Sequence, residues 1–300
     1  MSSSTTPEWI AVDWGTTNLR AYAMQGATVV AQAQSDKGMA ALSPDQFEPA
    51  LEYLVEPWDI PDVPVVACGM VGSRQGWVEA PYKTVPARPL ADALVRVPTS
   101  RRGAVFIIPG LAQQNPADVM RGEETQINGF LSLNPGWDGV LCLPGTHTKW
   151  VHLSAGEVVS FQTFMTGELF ALLSSASVLR HSISGDGWDS GAFDAALSEA
   201  LSKPERLAAR LFNLRAADLL HGNTKAGTRA ALSGYLIGAE LAAARPYWLG
   251  QNLAILGTGR QARAYEAGLL AQGVSAMLVD AERTTLAGLT TAFRKVKDTL

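Results

Sequence analysis

Asp13 ends the apolar run Trp9 to Val12 and is followed by Gly15-Thr16-Thr17. A carboxylate at a strand end can hold Mg2+, directly or through water, because that ion keeps much of its hydration. A glycine–threonine turn lifts successive backbone N–H groups and a threonine hydroxyl off the end of a sheet. Such a nest suits anionic oxygens. The pattern returns where the apolar run Val140 to Leu143 ends in Gly145-Thr146-His147. Gly15 matches Gly145, Thr16 matches Thr146, and the hairpin glycine Gly26 matches Gly156, all at one constant offset. Two such nests facing each other across a cleft would hold a polyphosphate.

A third glycine cluster lies near the C-terminus. Leu253 to Leu256 reads as a strand, Gly257-Thr258-Gly259 as a turn, and a helix follows; a further strand, Val274 to Val279, ends at Asp280. This approaches the dinucleotide fingerprint G-x-G-x-x-A with a later acid. Too little chain follows Asp280 to complete a dinucleotide half-fold downstream, and that reading leaves the paired Gly-Thr turns unexplained. The same strand–glycine–helix arrangement serves an adenosine pocket, with the glycines letting backbone approach the nucleotide and the helix N-terminus facing its phosphates. ATP is therefore the expected nucleotide, with an NAD site or a plain structural turn as the alternatives.

These turns need strands and helices to position them. Residues 19 to 24 and 27 to 34 read as strands joined by a Gln25-Gly26 hairpin, and Trp150 to Leu153 and the strand from Val158 repeat the arrangement around Gly156-Glu157. The chain thus reads as two related βββ units, each heading its own domain. Helical patterns run from Glu168 to Val178, Ala192 to Leu201, Ala208 to Leu220 and Arg229 to Ala244, with a last helix from about Thr284. Small residues at helical spacing in SGYLIGAELAAA suit close helix packing. Ser182 to Ser190 reads as a loop.

The 300 residues, with a formal charge of −4, suffice for one large or two medium domains and carry no basic block of the kind nucleic-acid binding needs. No window approaches a membrane span, and MSSSTTP lacks the charge and apolar run of a signal peptide. The only two cysteines, Cys68 and Cys142, sit in apolar runs and read as reduced core residues. A cytoplasmic protein without nucleic-acid or membrane partners is expected.

The Asp-x-Gly-Thr hairpin, the second Gly-Thr turn and the Gly-x-Gly strand–helix turn resemble the actin/hexokinase/heat-shock ATPase superfamily. IAVDWGTTNLRAY, VVACGMVGSRQGW, APYKTVPA, FIIPG, VMRGEETQ, LPGTHTKWV, FMTGEL and SGYLIGAE resemble the 2-dehydro-3-deoxygalactonokinase (2-keto-3-deoxygalactonate kinase) family. The resemblance implies an α/β, two-domain actin-like (ribonuclease H-like) fold, with duplicated βββ-αβα units around a central cleft. It implies ATP and Mg2+ as cofactors, and phosphorylation of 2-dehydro-3-deoxy-D-galactonate at its 6-hydroxyl in galactonate catabolism. A kinase of another 2-keto-3-deoxy sugar acid, or a non-catalytic regulator binding ATP and sugar, are the alternatives. The expected domains are residues 8–112 and 113–284, with a helix at about 285–300 packing back on the first.

In the superfamily's sugar kinases a carboxylate at a helix start ahead of the second phosphate turn is the general base. MRGEETQINGF reads as such a helix start, with Glu123 and Glu124 where aspartate is usual. The hydroxyl must lose a proton as it attacks phosphorus, so one of these glutamates, Glu124 ahead of Glu123, is the expected base; first-turn acids that merely complement a helix dipole are the competing reading. Asp13 is the expected metal ligand. The phosphate and nucleotide contacts are expected from Gly15, Thr16, Thr17, Gly145, Thr146, His147, Gly257, Thr258 and Gly259. The substrate carboxylate needs a cation, for which Arg20, Arg74, Arg121 and Lys149 are candidates, arginine being the better fork. Asn18 lies beside Arg20, and Ser73 and Trp77 in the glycine-rich GMVGSRQGW loop could meet the sugar chain, although Trp77 could equally be core.

Overall fold

A computed structural model describes residues 6–60, 62–98, 103–183 and 185–297. Most of the polar start and the end of the expected last helix, residues 298–300, lie outside the described residues. The chain divides into two compact units, the first formed by residues 1–138, 153–160 and 281–300 and the second by 139–152 and 161–280.

The first unit runs β1 (Trp9–Trp14), β2 (Leu19–Gln25), β3 (Thr28–Ser35), α1 (Phe47–Val55), β4 (Val65–Gly69), β5 (Tyr82–Thr84), β6 (Val95–Val97), β7 (Val105–Ile107), β8 (Gly110–Gln114), β9 (Ala117–Met120) and α2 (Glu123–Leu133). The second runs β10 (Gly139–Leu143), β11 (Thr148–Ser154), β12 (Glu157–Phe164), α3 (Thr166–Ser175), α4 (Ser190–Ser202), α5 (Leu207–His221), α6 (Lys225–Ala243), α7 (Arg245–Trp248), β13 (Leu253–Leu256), α8 (Arg260–Leu270) and β14 (Met277–Val279), with the tip of the β11–β12 hairpin, residues 153–160, counted in the first unit. The chain then returns to the first unit as α9 (Ala281–Lys297).

Both main sheets share one plan. The first has the order β3-β2-β1-β4-β7-β6 and the second β12-β11-β10-β13-β14. In each, an antiparallel meander is continued by a parallel strand, β4 beside β1 and β13 beside β10. The parallel strands are continuous apolar runs, as burial on both faces demands. Along β1 the side chains alternate. Ile10, Val12 and Trp14 enter a core with Phe47 and Leu51 of α1, while Trp9 and Ala11 enter one with Leu289 and Phe293 of α9. Trp9 stacks on Phe293 with ring centroids 4.5 Å apart, a contact worth about 0.5–1.5 kcal/mol beyond its area.

Two boundaries differ from the sequence expectation. Residues 113–138 belong to the first unit, not the second. The reason is pairing: β8 joins β5 and β9 in a three-stranded sheet, and α2 packs on α9. The strand expected from Val274 is confined to Met277–Val279, because Gly273 at φ +75° and the Val274 amide, donated to Leu269, still close α8.

In the second unit the small residues of α6 do what their spacing predicts. A Cβ on Gly234 would stand 2.4 Å from the Phe193 carbonyl oxygen, and one on Gly238 2.6 Å from that of Leu197. α4 and α6 therefore meet backbone to backbone, over a core of Cys142, Trp150, Ile255 and Tyr265. Among the described residues no helix is long and apolar enough to cross a membrane.

Candidate active site

The first turn is built at the end of β1. Trp14 is buried and anchors the strand end by donating its indole N–H to the Lys37 carbonyl at 2.9 Å. The Gly15 amide donates to the Asn18 carbonyl at 2.9 Å, which closes the turn. From beneath, the Met39 and Ala40 amides donate to the Gly15 and Thr16 carbonyls, each at 3.0 Å. That approach requires Gly38, where a Cβ would lie 2.3 Å from the Thr17 carbonyl carbon. Thr16, Thr17 and Asn18 are left exposed. The Asn18 amide is turned onto the Thr17 hydroxyl at 3.0 Å.

Asp13 is partly buried beside this turn. Its Oδ2 accepts from Arg20 Nη1 at 3.3 Å, and its Oδ1 faces the Cys68 thiol at 3.9 Å. Burial pushes its carboxyl upward; the Arg20 guanidinium opposes this, and the charge of Glu123 adds to it.

Glu123 and Glu124 arrive through a contact between glycines. β4 ends at Gly69, φ +91°, whose missing Cβ would stand 2.6 Å from the Trp14 carbonyl. α2 begins after Gly122, φ +106°, whose missing Cβ would lie 3.3 Å from Gly69 Cα. The helix has no side-chain cap at Gly122. The glutamates supply acceptors instead: Glu123 Oε2 takes the Arg121 amide at 3.0 Å, and Glu124 Oε2 takes the Gly122 amide at 2.6 Å. Glu124 is fully enclosed and also accepts from the Thr125 hydroxyl at 3.1 Å. Burial, reinforced by the charge of Glu123, pushes its carboxyl up to about 8. Glu123 is the partly exposed member. Asp13, Arg20 and both glutamates thus belong to one unit; the charges of Arg20 and Glu123 act on Asp13, and that of Glu123 acts on Glu124.

The glycine-rich loop after β4 divides its candidates. Arg74 is exposed and pairs with Glu79. Trp77 packs edge-on against Trp14 in the core. Ser73 is buried, and its hydroxyl finds no partner among the described residues. The Arg121 guanidinium lies 4.3 Å over the Tyr82 ring and donates to the Ala80 carbonyl at 2.8 Å; its Nε and Nη1 are sealed from solvent without partners. Its visible work is to tie the loop to the start of α2.

In the second unit the Gly145–His147 turn is held by two helices. From α3, the Glu168 amide donates to the Thr146 carbonyl at 2.9 Å, and Gly167 sits where a Cβ would be 2.2 Å from the Gly145 oxygen. From α8, the Gln261 side chain donates to that same oxygen at 3.0 Å. His147 Nε2 meets the Glu168 carboxylate at 2.6 Å. Lys149 is buried, with its ammonium 3.5 Å from the His147 carbonyl.

Gly257, φ +149°, ends β13, and Gly259 precedes α8 with no side-chain cap. The first amides of α8 are therefore left for another acceptor. A cavity of about 240 Å³ lies against this helix start, lined by Thr166, Phe170, Trp188, Arg229, Arg260 and Gln261 among others. Aromatic walls with two guanidinium groups suit a nucleoside phosphate.

The profile of the 2-keto-3-deoxy-galactonokinase family matches residues 13–292, from Asp13 through most of α9. This chain belongs to that family. A Rhizobium meliloti (strain 1021) protein provisionally named 2-dehydro-3-deoxygalactonokinase DgoK1 is 37% identical over 298 residues, covering 96% of this chain and 97% of that protein. The 2-dehydro-3-deoxygalactonokinase of Escherichia coli (strain K12) is 37% identical over 293 residues, 95% and 97% of the two chains. Among solved structures, a Sinorhizobium meliloti protein provisionally described by the same activity superposes with a TM-score of 0.90 at 37% identity, over 96% of each chain. MreB 5 of Spiroplasma citri, at 10% identity and a TM-score of 0.51 over 99% and 98%, has the same two-domain actin-like fold.

Within this family member, several supporting residues escape sequence reasoning. Gly38, Glu168 and Gln261 brace the two turns from distant segments. Gly38 has no motif of its own, and Glu168 and Glu240 stood inside the blocks FMTGEL and SGYLIGAE without a role attached.

Proposed function

We propose that this protein transfers the γ-phosphoryl group of ATP to the 6-hydroxyl of 2-dehydro-3-deoxy-D-galactonate, in galactonate catabolism. The observation that carries the reading is the gathering of Asp13 at the end of β1, Arg20 opposite it on β2, and Glu123 and Glu124 at the start of α2, in a chain that matches the kinase family over nearly its whole length.

Glu123 is the proposed general base. This reverses the order expected from sequence, for two reasons. A base must reach the hydroxyl, and Glu124 is wholly enclosed. A base must also be ionised, and a carboxyl pushed to about 8 holds its proton at neutral pH. Arg20 keeps half of its side chain exposed beside Asp13. Its outer donors are proposed to hold the substrate carboxylate, with Asn18 beside it. Ser73 and Arg121 shape the loop next to this site. Asp13, a hard carboxylate oxygen donor at a turn of exposed hydroxyls, fits Mg2+, which would neutralise charge on the transferred phosphoryl group. On the nucleotide side, the Gly145–His147 turn takes phosphate oxygens, and the cavity beside Gly257, Thr258 and Gly259 takes the adenosine. Lys149, buried in β11 just after the turn, supports the turn's potential. A cytoplasmic setting fits the two buried, free thiols.

A coupled ADP-release assay over a panel of 2-keto-3-deoxy sugar acids tests the reading. Turnover should require both Mg-ATP and the acid. ADP release without any acid, or NAD binding in place of ATP, would overturn it.

A further inference from the structure

Glu240 lies on α6 inside the second unit, 4% exposed. The reaction described above makes no use of it. Its carboxylate accepts three neutral donors: the Trp150 indole N–H at 2.7 Å on Oε1, and the Tyr265 hydroxyl at 2.6 Å and the Thr166 hydroxyl on Oε2. The Tyr265 hydroxyl in turn meets Thr148 Oγ1 at 3.0 Å. One buried carboxylate thereby joins β11, α3 and α8 to α6.

Every one of those elements leads to the Gly145–His147 turn. Thr148 directly follows His147. Thr166 directly precedes Gly167 and Glu168, which pack on and hydrogen-bond to the turn. Tyr265 stands one helical turn beyond Gln261, whose side chain holds the Gly145 carbonyl. Burying a carboxylate costs it its hydration, the partners it meets among the described residues are neutral, and an apolar residue of similar volume commonly stabilises a core as well or better. What the carboxylate adds is direction: its two oxygens accept short, oriented bonds from donors on three different elements.

We propose that Glu240 is a positioning residue for nucleotide binding, fixing the Gly145–His147 turn through Thr166 on α3 and through Tyr265 on α8. This rests on the reading of that turn as a phosphate site. Glu240 touches no substrate; it sets the angle at which two helices grip the turn.

The test uses Tyr265→Phe, Glu240→Ala and Glu240→Gln in the full chain, with ADP affinity by calorimetry, both KM values and a melting curve. Tyr265 is buried and does not line the nucleoside cavity, so its hydroxyl acts only through Glu240 and Thr148. Tyr265→Phe should weaken ADP binding and raise the ATP KM about tenfold, the effect of one well-made buried hydrogen bond. The sugar-acid KM should stay constant. Glu240→Ala should do more. Glu240→Gln should recover most of the loss, because its carbonyl can take the Trp150 N–H while its amide donates to hydroxyls free to rotate. Lower melting temperatures with unchanged ADP affinity would reduce Glu240 to a structural residue and overturn the proposal. If Glu240→Ala does not fold, Tyr265→Phe and Glu240→Gln still decide. Failure of the unaltered protein to bind ADP would instead remove the phosphate reading of the turn, and this inference with it.

Discussion

Gly122 stands so close to Gly69 that a Cβ on the first would lie 3.3 Å from the Cα of the second. The contact sets the start of α2 against the end of β4, one residue from Cys68, whose thiol faces Asp13. At φ +106° Gly122 also occupies backbone that side chains rarely adopt. Gly122→Ala should therefore cost about 1–3 kcal/mol of stability. It should also lower kcat by up to about 10²-fold, through misplacement of the glutamates that follow. Melting curves and turnover of the folded variant check both parts; a stability loss with normal kcat would separate the glycine contact from catalysis.

The two glutamates are expected to differ. Glu123→Gln keeps size and hydrogen-bonding capacity but removes the proposed base, and should cut kcat by about 10²–10⁴ with little change in either KM. Glu124→Gln should be much milder at neutral pH. The reverse ranking would return the base to Glu124.

Glu124 also predicts a pH dependence of stability. Its carboxyl is raised from 4.5 to about 8 by burial, so the folded state holds the proton more tightly than the unfolded chain. The favourable contribution is complete below the ordinary value and is lost as pH rises through the window up to about 8. The melting temperature should fall as pH rises from about 5 to about 8. Glu124→Gln, neutral throughout, should flatten that fall and overtake the unaltered protein at the alkaline end. Parallel curves for the two proteins would mean that the carboxyl is not so raised.

Much of this was legible in the chain. The Gly-Thr turns, the hairpin glycines and the apolar runs gave both meanders and their shared plan, since turn glycines and strand burial are local signals. The site was legible only in part. Asp13 and the Glu123-Glu124 pair announce themselves as acids at element ends. Their order does not, because nothing local says which glutamate is enclosed: α2 starts packed against Gly69 and continues against α9, where Gly288 would place a Cβ 2.0 Å from the Thr125 carbonyl, and both partners are far away in sequence. The domain boundary was misplaced for the same reason. β8 finds its parallel partner β5 at a distance, and nothing between Gly110 and Asp138 marks that pairing.

Arg20 separates two chemistries. Arg20→Lys keeps the charge and loses the fork. If its outer donors hold the substrate carboxylate, the sugar-acid KM should rise roughly 10- to 100-fold, the worth of a charge-assisted bidentate contact, while the ATP KM holds. A raised ATP KM with an unchanged acid KM would assign Arg20 to the phosphate side with Asp13. Asp13→Asn, which leaves Arg20 without its carboxylate, should lower kcat by orders of magnitude without unfolding the chain. Near-normal turnover would remove Asp13 from the site.

The central claim is tested most directly by following one reaction mixture with ³¹P NMR: the protein, Mg-ATP and 2-dehydro-3-deoxy-D-galactonate. The account predicts that ADP and a single new phosphomonoester grow together, one for one, with the phosphorus coupled to the C6 protons, and that nothing changes when the acid is left out. Inorganic phosphate appearing in place of the ester, or ATP left intact with the acid present, would contradict it.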